Sequence, residues 1–157
     1  MDDNVDITST ITSIPLFFDL SSSQVENIAG LSDLIEIDPG DTLMEEGDHL
    51  DFLYILLEGE VKVTIFVPTI GMVKTSVLGP FDILGWSAMT PIVRQRTGTV
   101  TAVTHCHLLR IQSKPFASLC EKDHDIGYCV YRRMANVVAR SFLSTRLYLM
   151  NLIADRK

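Results

Sequence analysis

The chain has 157 residues, 46% of them apolar and 21% charged, enough for one domain with its own core and too apolar for disorder. Its formal charge of −7 is unevenly spread: residues 1–60 hold 15 of the 20 acids and no Lys or Arg, and residues 61–157 hold the other five acids and all 13 bases. Net acidity argues against nucleic-acid binding, yet the second part, at +8 against −15 for the first, can still meet a small anion.

No apolar run approaches the ~18–20 residues of a membrane span. The opening MDDNVDITST carries acids where a secretory signal carries bases. Cys106, Cys120 and Cys129 are odd in number and scattered, which indicates neither a disulfide framework nor a zinc site. A cytoplasmic protein with no membrane partner is expected.

In chain order, residues 1–13 are rich in Thr, Ser and Asp and read as a flexible tail. Ile14–Phe18 is an apolar anchor. Ser23-Gln-Val-Glu26 fits a capping box and predicts a helix from about Gln24 to Leu31. Between Ile35 and Gln112 short β-rich runs alternate with turn signals at Pro39-Gly40, Glu46-Gly47, Gly59, Gly71 and Gly79-Pro80. Val61, Val63, Ile65 and Val67 alternate with Lys62, Thr64 and Phe66 as in a half-buried strand. Val100, Ala102, Cys106 and Leu108 occupy alternate positions of a second strand. Such strands argue for a sandwich, jelly roll or barrel.

A short helix is expected over Phe116–Glu121, and a long one, capped by Asp123 or Asp125, over Ile126–Ala154. Tyr131, Ala135, Val138, Phe142, Thr145, Leu149 and Leu152 form one apolar stripe, and Leu143, Leu147, Met150 and Ala154 lie beside it. A helix that covers one sheet needs a single stripe. Two stripes point to two partners, the β-domain and the same helix of a second copy.

The segment LGPFDILGWSAMTPIVRQRTGTVTA, residues 78–102, carries the chemistry. Gly85 ends an apolar strand, Trp86-Ser87-Ala88-Met89 follows, and Thr90-Pro91 closes the turn. A glycine at the mouth of a short helical turn lets backbone N–H groups converge on an anion. Arg96 can grip phosphate oxygens in bidentate fashion, and the hydroxyl of Thr97 can add a hydrogen bond.

These residues resemble the cyclic nucleotide-binding domain of the catabolite activator protein (Crp/Fnr-like) superfamily, standing alone without a helix-turn-helix domain. Ile14-Pro-Leu-Phe-Phe-Asp-Leu resembles the family's opening, and PGDTLMEEGDHLDFLYILLEGEVKV (39–63) its three-glycine pattern at Gly40, Gly47 and Gly59. LGPFDILG (78–85), RTGTVTAVTHCHLLRI (96–111) and IGYCVYRRMANVVARSF (126–142) resemble its later strands and long helix. The resemblance implies a mainly β fold, a double-stranded β-helix (jelly roll) with short N-terminal helices and a long C-terminal helix. It implies a β-roll over 14–125 and a dimerisation helix over 126–157. It also implies a phosphate cassette in which Gly85, Trp86, Ser87 and Ala88 offer backbone N–H groups, Arg96 pairs with the phosphate and Thr97 supports it. The long helix would close over the base, with Ser141 best placed and Ser144 and Thr145 beside it.

One departure from the family matters. Nucleotide-binding members usually carry a glutamate after the cassette glycine, accepting the ribose 2′-hydroxyl; here Trp86 stands there. A hydrogen bond to a charged group contributes about 1.5–3 kcal/mol, so its loss weakens binding by about 10- to 150-fold. Trp86 either stacks on sugar or base, or fills the pocket.

His105 and His107 have metal-like spacing, but no acid follows at the expected short distance and Arg110 lies there instead, so no metal site is expected. No Ser/His/Asp or paired-carboxylate arrangement points to an enzyme, and no cofactor is implied. The expected function is a non-enzymatic regulatory sensor that binds a cyclic nucleotide (cAMP or cGMP) or a similar small anion. It would act as a homodimer and signal through the long helix to a downstream protein. The alternative is a degenerate domain that binds no nucleotide and serves as a dimeric interaction module. The chain stops at Lys157, so DNA binding by it is not expected.

Overall fold

A computed structural model describes residues 6–49, 51–90, 92–93 and 97–156. Among them are four α-helices, α1 (Ile7–Ser13), α2 (Ser22–Ala29), α3 (Ser113–Lys122) and α4 (His124–Ala154), and two 3₁₀ turns, Pro15–Phe17 and Trp86–Met89. The strands are β1 (Ser32–Ile37), β2 (Thr42–Met44), β3 (Phe52–Glu58), β4 (Val61–Val67), β5 (Gly71–Leu78), β6 (Ile83–Leu84), β7 (Thr99–Ala102) and β8 (Cys106–Gln112). They form two antiparallel four-stranded sheets, in the orders β1-β8-β3-β6 and β2-β7-β4-β5. This is the expected jelly roll with a long C-terminal helix.

Strand alternation divides the core in two. Tyr54 and Leu56 of β3, with Cys106 and Leu108 of β8, face the roll interior and meet Met44, Val61, Val100 and Ala102 of the other sheet. Leu53 and Ile55 of β3, with Leu109 and Ile111 of β8, face the opposite way into a second cluster with Ile11, Phe17, Ile28, Phe116 and Val130 from the helical segments. Being buried on both faces, β3 reads as a nearly continuous apolar run, FLYILL, without alternation.

Three local expectations are corrected. Residues 7–13 are not tail but helix α1, capped by the Asp6 carboxylate, which accepts from the Thr8 N–H at 3.1 Å. Ile7, Ile11 and Ile14 recur at helical spacing behind the polar ITSTITS surface, and Ile11 is fully buried. The capping box of α2 uses Ser21 with Gln24 rather than Ser23 with Glu26. Three consecutive serines look alike in sequence, and this choice turns Val25 and Ile28 inward.

The third correction concerns Val100–Leu108, which is two strands, β7 and β8, in different sheets. The corner between them is tied down where the Val103 and Thr104 N–H groups donate to the Glu60 carbonyl at 2.8 and 3.3 Å. A Cβ at Gly59 would overlap the His105 carbonyl and the Cys106 sulfur. The buried residues on either side, Val100 and Ala102, then Cys106 and Leu108, keep the same parity, which hides the corner from a pattern reading.

Helix α4 is capped by Asp123, whose Oδ1 accepts from the Asp125 and Ile126 N–H groups at 3.1 and 3.2 Å. The Gln24 side-chain amide donates to both oxygens of the same carboxylate, at 3.2 and 3.1 Å, tying α2 to the start of α4. These bonds, led by the one from Gln24, hold the Asp123 carboxyl below its ordinary pKa. A depressed folded-state pKa stabilises the fold above the unfolded carboxylate range, and that contribution is lost as pH falls through the folded value. Asp123→Ala should therefore lower the melting temperature at pH 7. In thermal melts followed by circular dichroism, its gap to the wild type should narrow as the solution is made acidic.

Candidate functional site

A cavity of about 470 Å³ opens between the β2-β7-β4-β5 sheet, the end of β6 and the middle of α4. Its sheet-side wall is apolar, built by Val63 and Ile65 of β4, Leu78 of β5 and Val100 of β7. Its other wall comes from α4, through Val137, Val138, Ser141, Ser144 and Thr145. Hydroxyls of Thr75 and Ser76 on β5 add a polar edge.

The Gly85–Met89 turn sits where chain pairing puts it. Leu84 pairs with Tyr54 and Ile83 with Ile55, so β6 is pinned to the doubly buried β3 and Gly85 emerges at its end. Gly85 has φ 71° and ψ 28°, a left-handed conformation that costs a side-chain-bearing residue about 1–2 kcal/mol. The turn that follows is closed by the Ala88 N–H on the Gly85 carbonyl at 3.0 Å, and by the Thr90 N–H and hydroxyl on the Ser87 carbonyl at 3.2 and 2.9 Å. Met89 is buried in the helix-side core and Ser87 is 2% exposed, so the turn is held from beneath.

Of the residues singled out in the sequence, Gly85, Trp86, Ser87, Thr97 and Ser141 line the cavity. Ser144 and Thr145 line it as well. Ala88 lies on the same turn but does not line it, because a tight turn of three residues rotates successive side chains apart. Arg96, the proposed phosphate partner, lies outside the described residues. Trp86 packs against the helix-side core and lines the cavity.

The sequence reading missed two charged lining residues. Arg140 of α4 reaches Asp82, just before β6, with Nη1 and Oδ1 3.6 Å apart. Asp82 in turn accepts from the Gly79 N–H at 2.9 Å through its other oxygen. The pair is a clasp between the long helix and the roll, and its members are separated by most of a domain in sequence. The expected stripe on α4 is also shifted: the helix buries Ile126, Val130 and Met134 and continues along Val137 to Ser141, while Tyr131 and Ala135 are exposed.

Cysteine chemistry finds no place at the site. Cys106, Cys120 and Cys129 are free thiols, none lines the cavity, and burial pushes the Cys120 thiol up to about 12, which leaves it a neutral core group.

The sequence profile described as "Cyclic nucleotide-binding domain" matches residues 34–123, more than half of the chain. A putative cyclic nucleotide-binding protein from Geobacter metallireducens is similar at TM-score 0.73 and 20% identity, over 86% of this chain and 97% of that one. The catabolite activator protein of Thermus thermophilus is similar at TM-score 0.68 and 21% identity, over 88% of this chain and 62% of that one. The regulatory domain of Toxoplasma gondii PKA, co-crystallised with cAMP, is similar at TM-score 0.62 and 24% identity, over 72% of this chain and 42% of that one. At these identities the likeness is one of fold.

The geometry at Gly85 yields a direct test. Gly85→Ala should destabilise the protein by about 1 kcal/mol, and Gly85→Asn by less, because asparagine visits the left-handed region more readily. Urea unfolding of the three proteins checks the order.

Proposed function

The chain belongs to the cyclic nucleotide-binding domain family, and on that premise we propose that it is a non-enzymatic sensor whose cavity takes a cyclic nucleotide or a similar small anion. The observation that carries this reading is the cavity itself, roofed by α4 and floored by the Gly85–Met89 turn. Its volume falls within the roughly 300–1,000 Å³ of small-molecule sites. The phosphate would meet the turn at Gly85, Trp86, Ser87 and Ala88 together with Arg96 and Thr97. The base would lie toward Ser141, Ser144 and Thr145. A ligand that touches both turn and helix favours one position of α4, and a downstream protein reads that position. The Arg140–Asp82 clasp would be the contact that such a shift strengthens or breaks.

One observation favours the second reading, a module that binds no nucleotide: Trp86 leans into the helix-side core where nucleotide-binding members carry a glutamate. A thermal-shift series with cAMP and cGMP separates the two. Ligand at about 100 times its dissociation constant stabilises the fold by ~2.7 kcal/mol, and Arg96→Ala should abolish the shift. A flat response at millimolar ligand overturns the sensor reading, and a shift that survives Arg96→Ala overturns the phosphate role of that residue.

The proposal includes a homodimer through α4 in the cytoplasm. Beyond Met134 no residue of this helix is buried among the described residues, and Phe142, Leu147, Leu149, Met150 and Ile153 are each more than half exposed. Such an apolar surface along about three turns fits a coiled-coil seam. Sedimentation at micromolar concentration should show a dimer, and Leu147→Glu combined with Met150→Glu should give a folded monomer. A monomeric wild type overturns it.

A further inference from the structure

On the outer face of the β1-β8 pair, away from the cavity, three side chains meet: Glu36 of β1, His107 of β8 and His105 just before it. Their donor atoms all lie within 4.8 Å of one another. Glu36 pairs in register with His107, so the acid that the sequence lacks after the two histidines arrives from the neighbouring strand. None of the three lines the nucleotide cavity.

We propose that Glu36, His105 and His107 form a binding site for one divalent first-row transition ion of the zinc class. Two distances support it. His105 Nε2 stands 3.5 Å from Glu36 Oε2, and His107 Nδ1 stands 3.4 Å from Glu36 Oε1. Hydrogen bonds from nitrogen to oxygen cluster at about 2.7–3.2 Å. Donors held ~2.0–2.1 Å from a tetrahedral zinc ion stand ~3.3–3.4 Å apart, the edge of that tetrahedron. Both gaps exceed a hydrogen bond and run to different oxygens of Glu36, so one carboxylate faces both imidazoles and completes a set of three donors with them.

A second feature prepares His105 as a ligand. Its Nδ1 lies 3.0 Å from Asp38 Oδ1, and a carboxylate only accepts, so Nδ1 carries the proton. Asp38 is itself held, its N–H donating to Asp41 Oδ2 at 3.0 Å. Nε2 is then the ring nitrogen that faces Glu36 and is left to ligate an ion. A carboxylate that fixes the tautomer of a ligating histidine in this way is the usual outer partner of such sites. Two imidazoles and one carboxylate suit zinc, nickel or copper over magnesium or calcium. The rings meet edge to face with centroids 5.0 Å apart, and solvent can supply the remaining donor of an open three-ligand site. The groups are exposed enough for an ion to enter and are carried by paired strands.

The test is a zinc chloride titration of the tag-free, chelator-dialysed full chain, in competition with a chromophoric chelator. One ion per chain is expected. His107→Gln and Glu36→Gln should each weaken binding at least tenfold, and Asp38→Asn by about 10- to 100-fold. Each variant is first checked for an unchanged melting temperature without metal. A second readout uses only the wild type: zinc should shift the imidazole resonances of His105 and His107 and leave those of His49 and His124 in place. Absence of binding, or binding undiminished in a folded His105→Gln/His107→Gln variant, overturns the site and leaves a histidine pair held by two acids.

Discussion

The pairing of β3 with β8 puts apolar side chains on both faces of one two-stranded ribbon, and neither face can be left in water. Leu56 and Leu108 require the second sheet above them, and Leu53, Ile55, Leu109 and Ile111 require the helices below. At roughly 25 cal/mol per Å² of apolar surface, each fully buried leucine or isoleucine contributes about 1.5–3 kcal/mol, so both coverings are enforced together. β6 is anchored to β3, and through it the Gly85 turn. The start of α4 joins, through Ile126 and Val130, the helix-side core that covers this ribbon. Turn and helix thus face each other across the cavity because one is paired to the ribbon and the other is packed into the core beneath it.

The same arrangement leaves the second half of α4 with little to hold it. Its contacts beyond Met134 are the half-apolar cavity wall and the Arg140–Asp82 pair, whose arginine is 74% exposed in its side chain. An exposed ion pair contributes little to stability. A helix that is firmly seated at one end and weakly held at the other suits a moving part, since a small differential contact with a ligand suffices to bias its position.

The division of charge along the chain also acquires a spatial meaning. Acids of the first 60 residues meet bases of the remainder: Asp33 chelates Arg110 through Nε at 2.9 Å and through Nη2, and Asp19 lies 3.8 Å from Arg133 of α4. Glu36 and Asp38 gather the two histidines of β8 and the corner before it. The acidic front is in part the electrostatic complement of the later strands and the long helix, and only in part a solvated face.

By itself the sequence determined the class of fold, the long helix with its cap narrowed to Asp123 or Asp125, and the position of the candidate turn. Each of these is written locally, in a two-residue or 3.6-residue period, in glycines that tolerate a left-handed backbone and in a capping carboxylate. It also named seven site candidates that line the cavity, Gly85, Trp86, Ser87, Thr97, Ser141, Ser144 and Thr145. It did not determine the β7–β8 corner, because the apolar residues before and after it, Val100, Ala102, Cys106 and Leu108, keep the same parity across a change of sheet. Nor did it determine helix α1, whose two isoleucines, with Ile14 at its end, lie under a polar surface. The Asp82–Arg140 clasp and the Glu36–His105–His107 cluster were decided only by the tertiary structure. Their members are remote in the chain and become neighbours only when burial of the β3–β8 ribbon fixes which strands lie side by side and where the long helix begins.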